Sequence, residues 1–94
     1  MSPKIDVAGL LFDEENEAKF AKHQVTPGEV QQVLDRSPRF FRNTLDRRAP
    51  VVMLGPTSHG LLLVPLEEAG DGIWRPVTAF EPNPAQAARY RSRS

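Results

Sequence analysis

Few side chains in this chain can move a proton near neutral pH. His23 and His59 are its only imidazoles, and it has no cysteine. His23 closes a segment that reads as a helix. There it serves either as a general acid or base or as a cation against the free carbonyls of a helix end. His59 sits in a turn between two apolar runs and reads as structural. Tyr90 lies between Arg89 and Arg91. A ring among arginines can stack on a base while the guanidinium groups hold phosphates, or it can anchor a terminal helix to a sheet. Arg75 follows Trp74, which reads as a core or edge-strand aromatic. His23, and Tyr90 with its flanking arginines, are the side chains whose types could carry proton transfer or hold an anion.

The arginines are not evenly spread. Residues 1–35 hold seven acids (Asp6, Asp13, Glu14, Glu15, Glu17, Glu29, Asp35) against three lysines. Residues 36–48 then hold Arg36, Arg39, Arg42, Arg47 and Arg48 against Asp46 alone, and the tail adds Arg89, Arg91 and Arg93. The net charge is zero, so the chain is no general nucleic-acid coat. Its clustering is still the footprint of a polyanion or an acidic partner, because a planar guanidinium suits phosphate and carboxylate alike. Both segments are expected to form one basic surface, with Arg36, Arg39, Arg42, Arg47, Arg48 and Arg91 as candidate RNA contacts. The acids of 13–17 read as a solvated helix face.

These residues need elements to position them. Asp13 is an N-cap for a helix over 14–23, with Glu14, Glu15 and Glu17 at its positive end and Lys19, Lys22 and His23 at its negative end. Its apolar stripe of Ala18, Phe20 and Ala21 is thin, so the helix should be well exposed. Thr26-Pro27-Gly28-Glu29 is a capping box with proline at N1, and Val30, Val33 and Leu34 follow at helical spacing, with Gln31 and Gln32 facing out. This second helix should run to about residue 36. Strands are predicted at 7–12, 39–43, 51–54, 61–64 and 73–80, with a basic loop at 44–49 and turns at 55–60 and 67–72. Pro65 and Pro76 belong at a bulge, strand end or edge, since neither can donate to a ladder. Asn83-Pro84 opens a last helix with Ala85, Ala88 and Tyr90 toward the core. The order β-α-α-β-β-β-β-α, rich in hairpins, predicts an α+β domain with a small antiparallel sheet and its helices on one face.

At 94 residues the chain affords one core, 1–94 as a single domain with a loose leader at 1–6 and a tail at 92–94. No apolar run nears the roughly 20 residues of a membrane helix, and residues 1–6 lack the apolar stretch of a signal peptide. A cytoplasmic location is expected. There is no phosphate-cradling glycine loop, nucleophile elbow or His-Glu-x-x-His, and neither a metal site nor a cofactor is predicted. Short strands with proline-marked edges predict a protein partner or a homodimer.

Phe12-Asp13-Glu14-Glu15-Asn16 and Lys22-His23-Gln24-Val25-Thr26-Pro27-Gly28-Glu29-Val30 resemble the opening of the BrnT-like toxins. Leu54-Gly55-Pro56-Thr57, Gly60-Leu61-Leu62-Leu63-Val64 and Trp74-Arg75-Pro76-Val77-Thr78-Ala79 resemble that family's central hairpin and last strand, and Arg89-Tyr90 its terminal helix. The chain departs from the pattern at Ala49-Pro50, where the family carries Glu-Arg, and at Phe80, where it carries arginine. The resemblance implies a RelE/ParE-like fold and the toxin role in a type II toxin–antitoxin pair. It further implies a ribonuclease that inhibits translation and is neutralised by a cognate antitoxin. Metal-independent cleavage by a 2′-hydroxyl would call on His23, Arg75, Arg89 and Tyr90. The second reading is a non-catalytic module that binds protein or nucleic acid through its arginine segments.

Overall fold

The computed structural model describes residues 6–43 and 47–91. Most of the leader (1–5), Thr44, Leu45 and Asp46 of the basic loop, and the tail with Arg93 lie outside the described residues. The order of elements is β1 (Gly9–Leu10), α1 (Glu14–Lys22), α2 (Pro27–Asp35), β2 (Arg39–Arg42), β3 (Val51–Thr57), β4 (Gly60–Gly70), β5 (Ile73–Pro76) and α3 (Pro84–Arg91).

Both N-terminal helices begin at reciprocal capping boxes. Asp13 accepts from the Asn16 N–H while the Asn16 side chain accepts from the Asp13 N–H, and Thr26 and Glu29 do the same for α2. Asn16 is fully buried, yet every polar group of its amide is used, since its Nδ2 donates to the Leu11 carbonyl at 2.9 Å. The α1 helix ends in a Schellman pair: Val25 N–H bonds to the Phe20 carbonyl and Gln24 N–H to the Ala21 carbonyl, with Gln24 at φ 58°. Phe20 and Val25, joined by that pair, are both buried. As its thin stripe implies, α1 buries only Asn16 and Phe20.

The sheet runs β1-β5-β4-β3-β2. The pairings of β2 to β5 are antiparallel, as expected, but β1 joins β5 in parallel, so the sheet is mixed. The chain leaves β1, makes both helices across one face and re-enters the sheet at its far edge. Val51, Met53, Leu62, Val64 and Leu66 form the core with Phe20, Val25, Val30, Val33 and Ala79. Gly55 permits close approach there: a Cβ on it would lie 3.1 Å from Pro38 Cα and from Val33 Cγ1.

The central strands are longer than the sequence reading gave. β3 and β4 meet in a two-residue turn, Ser58-His59, with Gly60 at φ 117°. β4 then continues through Glu67 and Glu68, which had read as a turn, to a tight Asp71-Gly72 turn where both residues have positive φ. Pro65 therefore lies inside a central strand, not at an edge. Strand donors alternate sides, and the Leu63 N–H points at Phe80, so the donor missing at Pro65 faces the same side, just beyond the end of β5. The Pro65 carbonyl accepts from Val77. The expected strand 73–80 is correspondingly broken: β5 stops at Pro76, and Phe80 returns as an isolated bridge to Leu63.

α3 departs most from expectation. Val52, Leu54 and Leu63 alternate to the face opposite the core helices, and Gln86 and Arg89 of α3 line a cleft with them. The helices thus occupy both faces. Ala85 and Ala88 are exposed, Tyr90 is half-buried, and α3 buries no residue fully.

Candidate functional site

Arg75 lies opposite Glu67 on the neighbouring strand and directs all three nitrogens at carboxylates. Its Nε donates to Asp13 Oδ2 at 2.6 Å, Nη2 to Asp13 Oδ1 at 3.1 Å and Glu15 Oε1 at 3.2 Å, and Nη1 to Glu67 Oε1 at 2.8 Å. Only 15% of the side chain is exposed. Asp13 raises the affinity of Arg75 for its proton most, with Glu67 adding to it and burial opposing. In turn Arg75, and then the Asn16 N–H, hold the Asp13 carboxyl below its ordinary range. This cluster joins β4 and β5 to the start of α1. Arg75 is bound to acids rather than presented to an anion.

A second group forms where α3 meets the edge strand β2. The Arg89 guanidinium lies 4.6 Å from the Phe41 ring centroid, and that of Arg39 lies 5.8 Å from the Tyr90 ring centroid. Both are cation–π distances, so each arginine is steadied by a ring and keeps N–H groups for another partner. The Tyr90 hydroxyl donates to the Ser37 carbonyl at 3.4 Å. Phe41, Arg42, Asn43, Gln86 and Arg89 rim a cleft of about 120 Å³ floored by Val52, Leu54 and Leu63. The two basic segments, distant in sequence, therefore meet at Arg39, Arg42 and Arg89, which is part of the single surface expected of them. Arg36, the C-cap of α2, and Arg47 and Arg48 lie on the surface and line neither cleft.

The third group occupies a larger polar cleft of about 370 Å³, lined among others by His23, Glu29, His59, Glu81 and Arg91. That volume falls within the range of small-ligand sites. His23 is presented by the C-terminus of α1. Because the backbone of residues 24 and 25 takes the Phe20 and Ala21 carbonyls, the His23 ring is not needed as a cap for them; it tilts against Phe80 with centroids 5.8 Å apart. His59 comes from the β3–β4 turn. Two residues of α2 one turn apart grip that turn: Gln32 Oε1 accepts from the Ser58 N–H at 2.9 Å, and Glu29 Oε2 meets His59 Nδ1 at 2.9 Å. Gln32 therefore faces the turn, not solvent. The Thr26 N–H, burial notwithstanding, lowers the Glu29 carboxyl below its usual range, and His59 lowers it further. The His59 side chain is 78% exposed, which leaves the ring accessible to solvent.

Of the four expected catalytic residues, His23 lines the polar cleft and Arg89 the basic cleft; Tyr90 sits against Arg39 and Ser37 and lines neither, and Arg75 lines neither. Arg91 joins His23, and His59 is the residue that sequence reasoning left aside. Its partner lies thirty positions away on another element; the one available signal was that Glu29 and Gln32 share a helix face. Among the described residues no cluster of histidines and carboxylates has the arrangement of a metal site, and no helix is long and apolar enough to cross a membrane. The chain matches no family model, no curated protein and no solved structure.

Proposed function

We propose that the chain is a toxin-like endoribonuclease that seats single-stranded RNA along α3 and cuts it beside His23 without recruiting a metal. The observation that carries this is the adjacency of the two clefts: one is basic and aromatic, the other holds imidazole and guanidinium, and α3 lines both. Tyr90 and Phe41 supply rings for bases, Arg39, Arg42 and Arg89 meet backbone phosphates, and Arg91 faces the reacting phosphate. The 2′-hydroxyl attacks phosphorus, the P–O5′ bond breaks, and His23 in its protonated form gives its proton to the departing 5′-oxygen. The products are a 2′,3′-cyclic phosphate and a 5′-hydroxyl end. Arg91 compensates the charge that builds on the phosphoryl oxygens. A cytoplasmic site of action and a neutralising antitoxin partner go with this function.

The test is to induce the chain in growing cells and to incubate the purified protein with RNA in a chelator. Growth should slow and the RNA should be cut, and His23→Ala should abolish both while Arg89→Ala weakens both. Intact RNA and unaffected growth with the wild-type chain would remove the catalytic function. A non-catalytic RNA-binding module would then stand, supported by the steadied arginines of β2 and α3.

A further inference from the structure

His59 has a geometry that anchoring a turn does not require. The turn is already closed by β3–β4 pairing, by Thr57 Oγ1, which accepts from the His59 N–H at 3.0 Å and donates to the Gly60 carbonyl at 2.8 Å, and by Gln32 on Ser58. The imidazole adds a short contact from Nδ1 to Glu29 at 2.9 Å, and a long one to the Ser58 hydroxyl at 3.5 Å. A carboxylate there favours the tautomer with hydrogen on Nδ1 and leaves the Nε2 lone pair directed outward. Glu29 is itself fixed, because its other oxygen, Oε1, accepts from the Thr26 N–H at 3.0 Å and from its hydroxyl at 3.2 Å. The capping box thus holds the carboxylate, and the carboxylate orients the ring.

We propose that His59, oriented by Glu29, is the general base that takes the proton of the ribose 2′-hydroxyl in the polar cleft that His23 also lines. This rests on the ribonuclease function proposed above and names the second proton-transfer group of the same reaction. His59 Nε2 accepts the 2′-hydroxyl proton as the 2′-oxygen forms its bond to phosphorus. The electron pair of the broken P–O5′ bond leaves with the 5′-oxygen, which receives the proton of His23. One proton enters at His59 and one departs from His23, and exchange with water resets the pair. His59 is a catalytic residue and Glu29 a positioning residue. The charged groups sharing the cleft are His23 from α1, Glu29 from α2, Glu81 from the segment before α3, and Arg91 from α3. Arg91 adds a cation to the same cleft, which suits an anion bound there.

The experiment compares wild-type, His59→Ala, His59→Gln and Glu29→Gln proteins on one end-labelled RNA, recording cleavage rate against pH, RNA affinity and melting temperature. Both His59 variants should lose at least about 100-fold in rate, the lower bound for a general base, with affinity within about twofold. Added imidazole should restore part of the His59→Ala rate, because the site is open; a turn-anchoring role would not respond to it. Glu29→Gln keeps an oxygen for the cap but turns an amide donor toward Nδ1, which disfavours the basic Nε2. It should fall about 10-fold and lose the rise of rate with pH on the base limb. His59 variants that cleave at the wild-type rate, with His23→Ala inactive, overturn this assignment and leave the ribonuclease standing. An inactive wild-type chain overturns both.

Discussion

At the scale of single residues, composition misleads most at Arg75. Its type suits phosphate, but its surroundings are Asp13, Glu15 and Glu67, and a guanidinium committed to carboxylates contributes to the fold instead of to an anion site. Arg75→Met should therefore lower the melting temperature by roughly 5 °C, the equivalent of about 1 kcal/mol in a domain this size, and leave RNA affinity near wild type. A large drop in affinity at unchanged stability would restore Arg75 to the binding surface. Asp13 gives the pH dependence of the same cluster. Its carboxyl is held below its unfolded value of about 3.9, so its stabilising contribution is complete above that pH and disappears as pH falls through the lowered folded value. Urea midpoints should fall steeply below about pH 4. Asp13→Asn keeps an N-cap acceptor but not the charge, and should flatten that acid limb.

At the scale of elements, local signals were legible and long-range pairing was not. The Asp13 N-cap and the Thr26–Glu29 capping box could be read because their partners lie within one helical turn, and they set the starts of α1 and α2 correctly; the reciprocal role of Asn16 was not read. The parallel seat of β1 was not readable, since a two-residue strand leaves its partner to the tertiary structure. β4 was cut short in the sequence reading because Pro65 and the acids at 67–68 mimic a strand end. They persist in the strand because the proline faces a gap in the ladder and Glu67 has Arg75 across from it. Of the candidate site, the convergence of the basic segments was legible from charge, while the His59–Glu29 contact was not. α3 buries no side chain fully, so its contacts with β2 add little to stability. Arg89→Ala and Tyr90→Ala should each shift stability by under about 1 kcal/mol in a denaturant titration. Tyr90→Ala should weaken RNA binding by about 1–3 kcal/mol, the worth of one stacked base. A large loss of stability would instead make α3 a structural lid.

At the scale of the whole molecule, a chain of zero net charge gathers Arg39, Arg42 and Arg89 as a strip where α3 meets the edge strand β2, with the Arg75 cluster elsewhere. On the proposed function, four arginines, Arg39, Arg42, Arg89 and Arg91, would meet phosphates along α3. For single-stranded RNA this gives a slope of about −3 in log affinity against log salt, and Arg89→Ala should reduce its magnitude by about 0.7. A slope near zero would point to a protein partner for this strip. The most direct test of the central claim is the chemistry of the cut ends, determined by mass spectrometry after wild-type protein has acted on a defined RNA in a chelator. Paired 2′,3′-cyclic phosphate and 5′-hydroxyl ends, lost when every 2′-hydroxyl is replaced by hydrogen, are the predicted result. Intact RNA, or 5′-phosphate and 3′-hydroxyl ends that need a divalent cation, would contradict it.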